Sequence, residues 1–239
     1  MNKEIIKKII GVNNVVIYDG IEEWLDEFPF FEFLKTIHTT KYQKKNIIHS
    51  IITSFDIETT RVEELSFCYI WQFDIYMNGT HHIILDRTLR NIDRVFTKLW
   101  HATSTKDNAL LICGVHNLSY EFQFCKHLLD WENVFAKENR KPITATANGV
   151  YFIDTYQISH KALSKVGKEV GVRKLTEKFD YSIVRTSNTP MNDEEYAYCC
   201  NDVIIPVLYI QQLIDDYLIP EKFLPVTQTS KILQKLLQT

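Results

Sequence analysis

Beyond the first 46 residues, buried runs and helical stripes alternate along the chain. "NIIHSIITSFDIE" reads as a buried strand finishing at Asp56 and Glu58, and "ELSFCYIWQFDIYMNGTHHIILD" as two strands joined at Asn78-Gly79, a dipeptide suited to a tight hairpin. "TLRNIDRVFTKLWHATS" has a helical stripe of Leu89, Ile92, Val95, Phe96 and Leu99, and "NALLICGVHN" reads as another buried strand. "SYEFQFCKHLLDW" is helical in period, and "KPITATANGVYFIDTY" suggests a hairpin around Asn148-Gly149 or a strand entered through a turn. "SHKALSKVGKEVGV" predicts a short amphipathic helix. "NDEEYAYCCNDVIIPVLYIQQLIDDYL" predicts a long one, opened by a capping box of Asn192 and Glu195 and kinked or split at Pro206. Hairpin strands followed by alternating helices and strands predict an α/β domain with a mixed sheet.

Residues 1–46 mix charge with aromatic rings. Ile21, Trp24, Leu25 and Phe28 form a short helical face before Pro29, and the rings there are expected to pack on the main domain. The expected division is an N-terminal extension over 1–46, a main domain over 47–217 and a C-terminal tail over 218–239.

With 239 residues, 45% of them hydrophobic, the chain can bury a large core. Its formal net charge of −3 neither announces nor excludes a nucleic-acid partner, because such enzymes often confine positive charge to one groove. Five cysteines without C-x-x-C spacing favour reduced thiols over a disulfide frame or a zinc site, and hence the cytoplasm. No signal peptide and no apolar run of membrane-spanning length is expected.

Three acidic points remain. In "SFDIETT", Asp56 and Glu58 share one face of a strand, and paired acids repel unless a cation lies between them. A D-x-E alone is more often two solvated acids at a strand end. In "HNLSYEF", Glu121 follows the strand "LLICGV", where α/β sheets gather ligands; it would serve equally as an ordinary acid at a helix N-terminus. In "EEYAYCCND", Tyr198 and Asp202 are four apart on one helical face.

Taken in order, D-x-E, N-x-x-Y-E and Y-x-x-x-D resemble the three motifs of the 3′→5′ exonuclease (proofreading) domain of family B DNA polymerases, phage and protein-primed members included. These are DEDD exonucleases with a tyrosine in the third motif. The resemblance covers roughly 51–217 and implies a ribonuclease H-like mixed sheet flanked by helices, with two divalent ions. It places Asp56, Glu58 and Asp202 on the first ion, and Asp56 with Glu121, directly or through water, on the second. Mg²⁺ is the expected ion, with Mn²⁺ as substitute. Tyr198 would orient the attacking water. Thr59, Asn117 and Tyr120 stand where the family holds the single-stranded DNA 3′ end, and a phenol ring stacks on any base.

The run from Lys161 to Arg185 is rich in cations and reads equally as a surface for phosphates or as a solvated helix face. The resemblance puts Thr176 where protein-primed relatives carry a catalytic lysine, leaving Lys174 and Lys178 as substitutes, and matches Tyr181 to a tyrosine near the site. The second motif ordinarily ends in Asp; Glu121 is one methylene longer. Sequences resembling the polymerase motifs S-L-Y-P and D-T-D-S do not occur, so no nucleotide polymerisation is expected. The expected function is single-stranded DNA 3′-end proofreading beside a polymerase domain or subunit. The alternatives are an RNA-trimming exonuclease and a binding module that docks a polymerase without cutting.

Overall fold

The computed structural model describes residues 1–42, 45–106, 108–139, 141–175, 180 and 183–216. Thr176, Lys178, Tyr181 and the expected tail over 218–239 lie outside these. The elements run α1 (Lys3–Ile10), β1 (Val15–Asp19), α2 (Ile21–Glu27), α3 (Phe30–Thr36), β2 (Thr39–Tyr42), β3 (Lys45–Val62), β4 (Leu65–Met77), β5 (Thr80–Asp86) and α4 (Asn91–Ser104). Then follow β6 (Leu110–Val115), α5 (Leu118–Cys125), β7 (Trp131–Glu138), β8 (Lys141–Ala147), β9 (Val150–Asp154), α6 (Thr155–Ser159), α7 (Leu163–Glu169) and α8 (Asp193–Asp216).

One mixed sheet has the order β1-β5-β4-β3-β6-β9-β8-β7, with β2 paired to the start of β3. The β3–β4–β5 meander is antiparallel, while β3, β6 and β9 are mutually parallel. Both anticipated hairpin turns form: Asn78 and Gly79 have φ of 51° and 75°, Asn148 and Gly149 of 46° and 71°, the left-handed pair that a two-residue turn requires. The segment expected as an extension is built into the sheet, because β1 pairs with β5 in parallel from Val15↔His81 to Asp19↔Leu85. Its rings close the core: Trp24 and Phe33 are fully buried, and Phe28 lies edge-on to Phe30 and Phe33. The outer strand at the other end, β7, is exposed along nearly all its length and pairs with β8 through three register shifts.

Helix α8 crosses the face formed by β3, β4, β5 and β6. It opens with the anticipated reciprocal cap, Glu195 N–H to Asn192 Oδ1 at 2.9 Å and Asn192 N–H to Glu195 Oε2 at 3.0 Å. Of the kink or split expected at Pro206, the split does not occur: α8 is one helix of 24 residues. The hydrogen bond that Pro206 cannot donate is the one to the Asp202 carbonyl, and packing on the sheet holds the helix through that gap. By length and composition α8 could cross a membrane, but 72% of its apolar window is buried within the domain, as in a core helix. All five cysteines are free thiols, and Cys113, Cys125, Cys199 and Cys200 are buried.

The helix lies close to β6 at Gly114, where an added Cβ would come 2.5 Å from Ile210 Cδ1 and 3.3 Å from Thr155. Gly114→Ala is therefore expected to cost about 1 kcal/mol of stability, because the Ile210 side chain must turn aside and Thr155 must give by a few tenths of an ångström. A urea midpoint unchanged from the unaltered chain would refute that packing.

Candidate active site

β3 does not finish at the two acids, as the sequence suggested; it runs on to Val62. What finishes is its neighbour. The β3–β6 ladder ends at Ser54↔Gly114, after which the chain turns through Asn117, held in the left-handed region at φ 88°. The edge of β3 beyond Ser54 is thus left to Asp56 and Glu58, and α5 begins beside it, carrying Glu121. α8 brings Tyr198 and Asp202 over the same edge. On the far side β4 contributes Gln72, which pairs across from Asp56 and donates from Nε2 to its Oδ2 at 2.5 Å.

Asp56, Glu58 and Asp202 each offer a carboxylate oxygen within 4.8 Å of the others. Glu58 and Asp202 are buried and Asp56 is partly open. Glu121 is buried beside Asp56, with Oε2 enclosed and without a hydrogen-bond partner among the described residues. Burial first, then repulsion from Asp202, pushes Asp56 up to about 7. Burial and then Asp56 raise both Glu58 and Glu121 well above the usual carboxylate range. Asp202 is raised by burial and pulled back by Lys174 and Tyr198. A set of hard oxygen donors that disfavours its own ionised form, with one oxygen left without a proton donor, fits divalent cations of the Mg²⁺ or Mn²⁺ kind.

Lys174 pairs with Asp202 and stands 3.5 Å above the centre of the Tyr198 ring. Both contacts draw it into the acid cluster, away from the open surface. It also lines, with Ser164, Lys168, Gly171, Val172 and Arg173, a groove of about 600 Å³ that holds three basic residues. Of the other basic residues expected on a phosphate surface, Lys161 is engaged by Glu169, and Arg185 is buried against Glu195 at 2.5 Å. Arg185 therefore braces the fold; its backbone N–H reaches Thr60 Oγ1 at 3.2 Å, two residues past Glu58.

On the other side of the acids, Thr59 Oγ1 and the Tyr120 hydroxyl are 2.6 Å apart, and Tyr120 and Asn117 are exposed. These three residues, carried by β3 and the start of α5, meet at one rim of the site. Neither Gln72 nor Asp154 carries a motif that marks it in the sequence. Asp154 ends β9 and accepts from the backbone N–H groups of Asn117 at 3.1 Å and Tyr156 at 2.9 Å, tying the start of α5 to the sheet. Burial first raises Asp154 to about 6, against those backbone hydrogen bonds. In sequence, an acid closing a strand is indistinguishable from an ordinary helix cap, and Asp154 does cap α6.

The raised acids have a consequence for stability. A carboxyl whose folded value lies above its unfolded one binds more protons when folded, so it stabilises fully at low pH and loses that contribution as pH rises through the folded value. For Asp56 the window runs from 3.8 to about 7. With metal chelated, stability is expected to fall across this window relative to Asp56→Asn, on the order of 1–3 kcal/mol. Adding Mg²⁺ at pH 8 should reverse the difference. Parallel unfolding free energies for the two chains from pH 4 to 8 would show that Asp56 is not strained.

The sheet order and flanking helices define an α/β fold of the ribonuclease H-like kind, a mixed sheet covered by helices. No protein-family model matches the sequence, and no curated protein matches it. Among solved structures, Phi29 DNA polymerase with primer-template DNA and incoming nucleotides matches at a TM-score of 0.57 and 16% identity, over 71% of this chain and 32% of that one. The same polymerase with single-stranded DNA matches at 0.54 and 15%, over 70% and 32%. The Aedes aegypti Nibbler EXO domain matches at 0.49 and 9%, over 95% and 96%, a likeness too loose to argue from. At these identities the polymerase likeness shows the fold, and the chain spans about a third of that polymerase's length.

Proposed function

We propose that this chain is a metal-dependent 3′→5′ exonuclease that removes nucleoside monophosphates from single-stranded DNA 3′ ends and proofreads with a family B DNA polymerase, of which it is a part or a separate subunit. The observation that carries the reading is the convergence of four carboxylates from β3, α5 and α8 on one open strand edge, three of them with oxygens within 4.8 Å. A module kept only for binding gains nothing from such a cluster, whose charge opposes phosphate unless cations neutralise it.

Asp56, Glu58 and Asp202 would hold one divalent ion, and Asp56 with Glu121 the other. When bound, such ions lower the pKa of water and stabilise charge on the attacking and leaving oxygens of an in-line displacement at phosphorus. Tyr198, beside Asp202 on α8, orients the water by hydrogen bonding; a phenol is too weak a base at neutral pH to do more. Thr59, Asn117 and Tyr120 hold the terminal nucleotides at the rim, with the phenol ring as a stacking face for any base. The groove beside it, with Lys168 and Arg173, receives phosphates of the same strand.

DNA is favoured over RNA by the motif resemblance and by the fold shared with a DNA polymerase. The test is digestion of a 5′-labelled single-stranded DNA with Mg²⁺ or Mn²⁺, beside its RNA twin and a 3′-blocked control. A ladder shortening from the 3′ end of DNA is expected. Faster cutting of RNA would transfer the reading to RNA trimming, and binding without cutting would leave a docking module.

A further inference from the structure

Asn201 precedes Asp202 on α8 and is fully buried. Its side chain does not serve the helix. Oδ1 accepts from the Leu175 backbone N–H at 3.0 Å, and Nδ2 donates to the Arg173 carbonyl at 3.2 Å. The amide thus acts as a one-residue strand partner to the segment 173–175 and brackets Lys174 from both sides. A primary amide suits this role because it offers a donor and an acceptor side by side, as a peptide group does. The bracketed residue is the one whose ammonium reaches Asp202 and lies 3.5 Å over the Tyr198 ring.

We propose that Asn201 is a positioning residue: it fixes Lys174 against Asp202 and Tyr198, so that the third motif carries its own cation into the site from a segment 28 residues away in sequence. The proposal rests on the exonuclease reading for its kinetic consequence, but not for the placement of Lys174. The side chain of Lys174 has four flexible torsions, and an ammonium within a cluster of acids would otherwise sample several carboxylates. Holding its backbone on both flanks restricts it to one. The role is local, because Asn201 clamps the segment and touches no substrate.

Two readouts separate placement from reaction. The first is reductive methylation of lysines, followed by mass spectrometry on the full chain. Lys174, whose side chain is 8% exposed, should react at least about tenfold more slowly than the exposed Lys168 of the same groove. Asn201→Ala should abolish that protection. Asn201→Asp, which keeps the shape and the Leu175 contact but turns a carboxylate toward the Arg173 carbonyl, should abolish it too, and serves if the alanine variant fails to fold. Other lysines should keep their rates.

The second is exonuclease kinetics on single-stranded DNA. Each Asn201 variant should lower kcat by about 10–100-fold with little change in KM, as Lys174→Ala should, and the double variant should be no slower than the single ones. Additive losses would mean that Asn201 acts by some route other than Lys174 and would overturn the proposal. So would Lys174 protection that survives both substitutions, or lost protection with an unchanged rate. If the unaltered chain does not cut nucleic acid, the exonuclease reading fails, and the methylation pattern alone decides whether Asn201 places Lys174.

Discussion

Asparagine in place of Asp56 is expected to lower single-stranded DNA digestion by roughly 10³-fold or more, the largest effect of any single change in this chain. Asp56 is the acid common to both expected ions. It sits between Asp202 on one side and Glu121 on the other, and Gln72 already directs an N–H at its Oδ2. An amide there is nearly isosteric, so the loss should come with a fold that is intact and, in chelator, no less stable. A tenfold loss or smaller in both Mg²⁺ and Mn²⁺ would mean that the hydrolytic centre is not assembled on this edge. The contrast is Asp202→Asn, which should also stop digestion but should destabilise the chain as well, because Lys174 would then be a buried cation without its partner.

The largest effect on stability is expected far from the reacting atoms. Glu195→Ala should cost about 3–5 kcal/mol, since it leaves the Arg185 guanidinium buried without its carboxylate and also removes half of the capping box of α8. Arg185 donates as well to the Asp180 carbonyl at 2.5 Å, and its backbone holds Thr60 on β3. Activity should decline with this loss, because the strand beyond Glu58 and the start of α8 are fastened together at that point. Urea unfolding measures it; a cost below about 1 kcal/mol would show that solvent reaches the guanidinium once the pair is broken.

The parts of this architecture written in local chemistry were legible. Asn-Gly pairs marked both hairpins because only such residues take successive positive φ values cheaply, and Asn192 with Glu195 marked the start of α8. The order of the acidic motifs singled out Asp56, Glu58, Glu121 and Asp202, which fold to one edge. What the sequence concealed depends on what lies opposite. β3 looked as if it ended at Glu58 because Glu58 is followed by polar residues, yet β4 continues to pair with it after a register shift between Glu58 and Thr59. Residues 1–42 carry no long alternation, and β1 is only five residues long, so its pairing to β5 could not be read from period. Arg185 looked like surface charge because a side chain's burial against Glu195 leaves no trace in spacing.

The outer strand β7 has one more implication, for how the protein behaves when concentrated. A strand whose outer edge pairs with no other strand among the described residues is a template for end-to-end assembly, and Val134 and Phe135, 45% and 60% exposed, would make such assembly adhesive. The same strand bears Glu132, Lys137 and Glu138, and its three breaks in register leave no long straight stretch for a second chain to copy. Irregularity at this rim is thus a safeguard of solubility, and straightening β7 would invite fibres.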